Sequence, residues 1–339
     1  TDKIQGNINL SKGQVSLDSV TKGQFGTYIQ TDGTTTITGT GFTFNNENDM
    51  ISGGTVIVGG EVANSEFNLA EGTISSSAAV KVNNGSAINM SGGTITDGAS
   101  VKVDDTSSFN MTDGDITNEA YMEFNDSAQM NMYDGTISDS AELDFNDEAK
   151  MNMSDGTITN NAVLNFQDNA GFVMTSGEIT EGAQVNLRDD ATMDMTDGEI
   201  NSNAVITLKD QSNFQMNSST ISDNAVVNMN NESTMAVSDG KIATGATVNM
   251  DDYSQLTING GAITDEAKVN LNDRTSLVLS DGTISDEAVI NLNDASSMNV
   301  EENGVVDETA VINIGNRATV NQNGGQMTLN SNDTYNGTI

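Results

Sequence analysis

The sequence predicts an all-β fold: a single-stranded, right-handed parallel β-helix (a β-solenoid) with a 21-residue coil and about 12–14 coils. Three observations predict it. Isoleucine recurs at Ile74, Ile95, Ile116, Ile137, Ile158, Ile179, Ile200, Ile221, Ile242, Ile263 and Ile284, evenly spaced without a slip. Within each unit, apolar and polar residues alternate in two stretches, the mark of half-buried strands. Between those stretches stand small residues at fixed places. A period held over so long a run means that each unit rests on the one before it.

The first strand of the unit is seen in Val101-x-Val103 and recurs as Leu143/Phe145, Val185/Leu187, Val227/Met229 and Ile290/Leu292. The second is seen in Phe109-x-Met111 and recurs as Met130/Met132, Met151/Met153, Met193/Met195 and Leu277/Leu279. The isoleucine marks a third short strand. A glycine closes the second strand at Gly93, Gly114, Gly135, Gly156, Gly177, Gly198, Gly240, Gly261 and Gly282. Glycine there signals a turn with positive φ, and the Asp or Ser before it fits such a turn. Alanine fills the next corner, from Ala78 and Ala99 to Ala288, and Ser, Ala or Thr fills the remaining one, from Ser86 and Ser107 to Ser296. Three short strands and three tight corners describe one coil. Coils stack roughly 4.8 Å apart, so a dozen make a rod of about 58 Å. Strand twist and the handedness of parallel crossovers favour a right-handed coil. Leucine-rich repeats have a similar length, but their Leu-x-x-Leu-x-Leu spacing is missing and no stretch is long enough for a convex-side helix.

The expected organisation is residues 1–53 as an irregular N-terminal cap or first coils, 54–329 as regular β-helix repeats, and 330–339 as a C-terminal tail. Near the far end Ala310, Ile312 and Ile314 sit one place late, so one residue is inserted there. Atypical ends are expected of a repeat array, because a bare coil edge invites pairing with another chain. End-to-end self-association into fibres or layers is therefore an expected partnership.

The chain has 339 residues, with 49 acidic and 12 basic side chains and a formal net charge of −37. Such a surface repels nucleic acid, whose binding needs clustered Lys and Arg, and repels an anionic membrane on the same ground. Cations, basic proteins or neutral glycans remain as partners. Cys, His, Pro and Trp are absent, which rules out disulfides, thiol nucleophiles, zinc sites built on His or Cys, and Ser-His triads within this chain. No apolar run reaches the roughly 20 residues that span a bilayer. The start at Thr1 rather than Met reads as an exported product whose leader has been removed. The expected location is extracellular or at a cell surface.

One column of carboxylates follows the first strand: Asp105, Asp126, Asp147, Asp168, Asp189, Asp210, Asp252, Asp273 and Asp294, with Asn231 in the same series. Like charges about 4.8 Å apart repel by roughly 0.9 kcal/mol per neighbour in bulk water. Two readings stand side by side. Hard cations, Ca²⁺ first among them, would bind between coils and relieve the repulsion. Alternatively each Asp caps its turn through backbone N–H groups two residues on, which accounts for Asn231. A second acidic column, Asp113, Asp134, Asp155, Asp197, Asp239 and Asp281, precedes the glycine. No other cofactor is implied.

Asparagines also fall into columns, at Asn89, Asn110, Asn131 and Asn152 on the second strand and at Asn165, Asn186, Asn228, Asn249, Asn270 and Asn291 on the first. They alternate with inward residues and so face outward, where stacked amides bond from coil to coil. The third strand offers a Thr-x-Thr face (Thr94/Thr96, Thr157/Thr159), interrupted by Asp115, Glu178, Glu199, Lys241 and Ala262, which argues against an ice-ordering array. An enzyme is not expected. Glycosidic cleavage needs a singular pair of carboxylates in an irregular groove, whereas here an Asp recurs in nearly every row.

The segments Phe109-Asn-Met-Thr-Asp-Gly-Asp-Ile116, Met151-Asn-Met-Ser-Asp-Gly-Thr-Ile-Thr159 and Ile88-Asn-Met-Ser-Gly-Gly-Thr-Ile-Thr96 resemble the F-x-M-x-G-G-T-I repeats of bacterial and archaeal adhesin-like surface proteins, and more loosely autotransporter passenger domains. The likeness covers roughly residues 54–329. It implies a right-handed parallel β-helix exported to a cell surface or released into a matrix. The expected function is a non-enzymatic structural solenoid of a surface, filament or biofilm matrix, the alternative being an adhesin that binds glycans or host-surface proteins through one face.

Overall fold

The computed structural model describes residues 6–18 and 25–338; parts of the expected N-terminal cap (1–5, 19–24) and Ile339 lie outside the described residues. Among the described residues there is no helix, every strand pairing is parallel, and the coils number about 15. They fall into two compact units, the first running to Asn165 and including Asn169–Phe172, the second comprising Phe166–Asp168 and the chain from Val173 onward.

In the first unit, Ser100–Val103 pairs with Tyr121–Phe124, and that strand with Glu142–Phe145, each residue against its counterpart one period later. Ile95, Ile116 and Ile137 face one another in register, as do Met90, Met111 and Met132. Columns in the sequence are therefore lines in space. In the second unit, Val227, Val248, Val269 and Ile290 form the equivalent ladder. In the regular coils, the inward residues of all three strands are buried to within about 1 % of full exclusion. Each such side chain contributes on the order of 1.5–3 kcal/mol, which is how a thin core becomes stable by repetition. Phe124 and Phe145 stack face to face, ring centroids 4.6 Å apart.

The strands form two parallel sheets in each unit, not three. First strands make one sheet; second and third strands share the other. In several coils the second and third strands are one continuous strand, as in Ala87–Ile95, Ser108–Ile116 and Gln255–Ile263, with the register shifting at the glycine. The glycine corner is thus a kink within a sheet. Its φ is positive, as expected, at Gly93, Gly114, Gly135, Gly156, Gly177, Gly198 and Gly282. At Gly240 and Gly261 the left-handed residue is instead the one before, Asp239 (φ 60°) and Gly260 (φ 101°).

Coils extend into the N-terminal stretch. Gln14 pairs with Thr34, Thr34 with Thr55, and Thr55 with Ala79, so the step from coil to coil is uneven here. The late insertion is a bulge: Leu279 faces Val300, while Asp281 faces Asn303. Thr334–Tyr335, in the expected tail, is a strand paired to Val311–Ile314.

Candidate functional site

The surface is organised by its corners. In the alanine corner, Thr117-Asn118-Glu119-Ala120 is closed by the Ala120 N–H on the Thr117 carbonyl at 3.1 Å. Asn118 and Glu119 both have positive φ (48° and 60°), the signature of a type I′ turn. The same holds at Asp97-Gly98, Asp139-Ser140, Asp265-Glu266 and Asp286-Glu287. Left-handed residues turn the peptide over, and the main-chain bonds reverse with it. Strand N–H groups donate to the preceding coil (Tyr121 to Ala99, 2.9 Å), whereas turn N–H groups donate to the following one (Gly98 to Asn118, Glu119 to Asp139, both 3.1 Å). Sequence reasoning placed alanine at this corner and missed the left-handed pair before it; the Asp97-Gly98, Glu181-Gly182 and Thr244-Gly245 dipeptides were the available signal.

The predicted metal column lies at the next corner. Asp105, Asp126, Asp147, Asp168, Asp189, Asp210, Asp252, Asp273 and Asp294 are all exposed, and each has positive φ between 50° and 62°. Asp and Asn tolerate that conformation better than other side-chain-bearing residues, which accounts for Asn231 (φ 59°). The carboxylates of Asp105, Asp126, Asp147 and Asp252 bond to backbone N–H groups across coils. Asp105 Oδ2 accepts the Asn84 N–H (3.0 Å), Asp126 Oδ2 the Asp105 N–H (3.2 Å), Asp147 Oδ2 the Asp126 N–H (3.1 Å) and Asp252 Oδ2 the Asn231 N–H (3.4 Å). Asp210 Oδ1 accepts the Asn231 amide at 2.7 Å, and Asp294 pairs with Arg317 at 3.1 Å. Stacking supplies the partner because the turn N–H points along the coil axis toward the neighbouring coil. Among the described residues, no group of three or more acidic side chains converges as metal ligands would.

In the second acidic column, Asp113, Asp134, Asp155 and Asp197 each accept the N–H of the next glycine through Oδ1, at 2.7–2.9 Å. Two stretches of the asparagine columns are continuous ladders; the first-strand column is broken, since Asn165 donates to Asp144 (2.8 Å) and Glu142 (3.1 Å) and Thr207 occupies the rung between Asn186 and Asn228. Each Nδ2 donates to the Oδ1 of the preceding coil through Asn68, Asn89, Asn110, Asn131 and Asn152, at 2.9–3.0 Å. Asn228, Asn249, Asn270, Asn291 and Asn313 repeat the pattern at 2.8–3.0 Å. The Thr-x-Thr face is only half a face, since Thr96, Ser138, Thr159 and Thr264 are buried.

Two less regular features stand on the surface. On the first-strand sheet of the first unit, Lys102 Nζ bridges Glu123 (3.2 Å) and Asp104 (3.4 Å). Burial opposes the Lys102 charge, but its bonds to Glu123 and Asp104 outweigh that and raise its pKa. Nearby, Tyr121 donates to Asp144 at 2.8 Å; burial, this bond and the charges of Asp144, Glu123 and Glu142 raise the phenol's pKa strongly. In the second unit, the alanine-corner turns border an open groove of about 1410 Å³, acidic along Asp223, Asp265, Glu266, Asp286, Glu287 and Glu308.

Among the described residues, no helix is long and apolar enough to cross a membrane. No family model, curated protein or solved structure matches the chain.

Proposed function

We propose that this protein is a non-enzymatic, extracellular structural β-solenoid of a cell surface, filament or matrix, and that its copies self-associate. The single observation that supports this reading most is the use of its surface polar groups. The Asn68–Asn152 and Asn228–Asn313 ladders, and the Asp105, Asp126 and Asp147 carboxylates, bond to their counterparts on neighbouring coils. A surface spent on coil stacking suits a scaffold better than a site that must select a ligand. The likeness of its Met-Asn-Met-Ser-Asp-Gly-Thr-Ile segment, residues 151–158, to adhesin-like surface repeats supports the same assignment, as does a net charge that keeps a secreted chain soluble.

Sedimentation velocity over a wide concentration range, with negative-stain images of the same samples, tests the proposal. Fibres or layers that grow with concentration are expected. Discrete particles at every concentration would remove the scaffold reading.

The acidic groove along Asp223–Glu308 favours a second reading, an adhesin or binding module whose ligand sits against one row of corners. Binding on a glycan array or to cells, lost when Asp265, Glu266, Asp286 and Glu287 are replaced together by their amides, would establish it.

A further inference from the structure

Three polar side chains stand at inward strand positions of the first unit, where the other buried strand residues are apolar. Tyr28, Gln30 and Thr35 are 2 %, 0 % and 1 % exposed. Tyr28 occupies the rung of Ile8, Gln30 the rung of Leu10 and Ile51, and Thr35 the rung of Val15 and Val56. Departures of this kind from the local pattern concentrate at functional or strained places.

The three groups converge on one atom. Gln30 Oε1 lies 2.9 Å from the Tyr28 hydroxyl and 2.8 Å from Thr35 Oγ1, and the two hydroxyl oxygens are 2.5 Å apart. The Gln30 amide nitrogen donates to the carbonyls of Thr55 (3.2 Å) and Gly33 (3.4 Å), which turns Oε1 toward the hydroxyls. Gly54 leaves the room for this, because a Cβ there would stand 2.9 Å from Gln30 Nε2. Three oxygen–oxygen contacts share only two hydrogens, since an amide oxygen carries none. When Thr35 donates to Tyr28 and Tyr28 donates to Gln30, the Thr35 oxygen is left with its lone pairs beside a carbonyl polarised by a phenol. Burial raises the Tyr28 pKa, with the Thr35 hydrogen bond pulling the other way, so the phenol relays a proton and does not act as a phenolate base.

We propose that Thr35 and Gln30 form an intramolecular ester cross-link. Thr35 Oγ1 adds to Gln30 Cδ; its proton passes to the Tyr28 oxygen as the Tyr28 proton passes to Oε1, giving a neutral tetrahedral adduct. The C–N bond then breaks, its electron pair leaving with nitrogen, which takes the Oε1 proton and departs as ammonia. One O–C bond replaces one C–N bond, and no oxidant, reductant or co-reactant is consumed. Burial keeps out the water that would hydrolyse the ester. Gln30 ends a strand of one sheet and Thr35 lies in a strand of the other, so the link ties the two sheets together at this coil. It is independent of the scaffold reading above.

Intact-mass spectrometry of the full chain tests it. The expected mass is that of the sequence less one ammonia, with Thr35→Val restoring the full sequence mass and Tyr28→Phe slowing the loss during incubation. A wild-type chain at full sequence mass overturns the proposal and leaves a hydrogen-bonded triad. A loss that persists in Thr35→Val overturns it too, because an Asn-Gly succinimide would then be its source.

Discussion

The ε-methyl of Met90 lies 2.6 Å from the point where a Cβ on Gly114 would stand, and the Gly93 carbonyl lies 2.8 Å from the same point. Other glycines of the column are met in the same way by the preceding coil. Met111 stands in the same relation to Gly135, Met132 to Gly156 and Met174 to Gly198. Where methionine gives way to another apolar residue the contact remains, as between Val237 and Gly261. Where its φ is positive, as at Gly114, the glycine therefore answers two demands, a left-handed backbone and the space taken by the preceding coil's core; at Gly261 only the second applies.

Gly98 separates those demands, since its φ is +73° but nothing lies within 4 Å of its Cβ position. Gly98→Ala is expected to cost about 1–2 kcal/mol, from the left-handed conformation alone. Gly114→Ala adds steric overlap and is expected to cost about 1–3 kcal/mol more. Urea unfolding of the two variants measures the difference; equal losses would mean that the Met90 contact is immaterial.

Asn110 donates to Asn89 and accepts from Asn131, both at 2.9 Å. Asn110→Ala removes both bonds and leaves two half-buried amides short of a partner, at about 1–3 kcal/mol. Asn110→Asp can still accept from Asn131 but loses the donation to Asn89 and adds a charge, so it too is expected to lower the melting temperature. Calorimetry that finds both variants at wild-type stability would dismiss the ladder as a contributor.

Ser107, Ser212, Ser233 and Ser296 have buried hydroxyls with no hydrogen-bond partner among the described residues, and alanine stands at the same corner in Ala128 and Ala149. Ser107→Ala is therefore expected to stabilise by roughly 1 kcal/mol, the order of cost of leaving a buried polar group unpaired. A fall in the urea midpoint would contradict this.

Asp126 combines a φ of 59° with an acceptor for the Asp105 N–H. Asp126→Asn keeps both properties and removes one charge, so its stability should match or exceed wild type at low salt. Asp126→Ala loses both and should fall by about 1–2 kcal/mol. Because the Oδ2 atoms of Asp105, Asp126, Asp147 and Asp252 already accept backbone N–H groups, Ca²⁺ and Mg²⁺ at equal ionic strength should raise the melting temperature equally, by screening. An excess response to Ca²⁺, lost in Asp→Asn variants, would instead assign cations to the Asp105–Asp294 column.

Folded-state pKa values of Lys102 and Tyr121 are raised above 10.5 and 10.0. A group raised in the folded state contributes stability that is complete below its unfolded pKa and is lost as pH climbs through the folded one. Melting temperature is thus expected to decline from about pH 10 upward, and Tyr121→Phe should make that decline shallower. An unchanged slope in the variant would rule out the Tyr121–Asp144 bond as a source.

Much of the fold was legible in the sequence because stacking returns the same environment once per coil, so Ile95, Ile116 and Ile137 had to be alike. The surface was less legible. Composition shows that Asp105 and Asn231 share a column, but the hydrogen-bond partner of each carboxylate is a backbone group on another coil. Half of the Thr face proved buried, because Thr96 ends the third strand at the entry to a tight turn.

By itself, the sequence determined the period, the inward columns and the residues of the corners, since side-chain size and polarity record which positions face a shared interior. The tertiary structure alone decided that second and third strands share one sheet and that turn bonds run opposite to strand bonds, because main-chain direction leaves little trace in side-chain identity. It also decided that Tyr28, Gln30 and Thr35 meet. The uneven coil steps from Gln14 to Thr34, Thr55 and Ala79 erase the period there, and only backbone pairing reveals which residues occupy one rung.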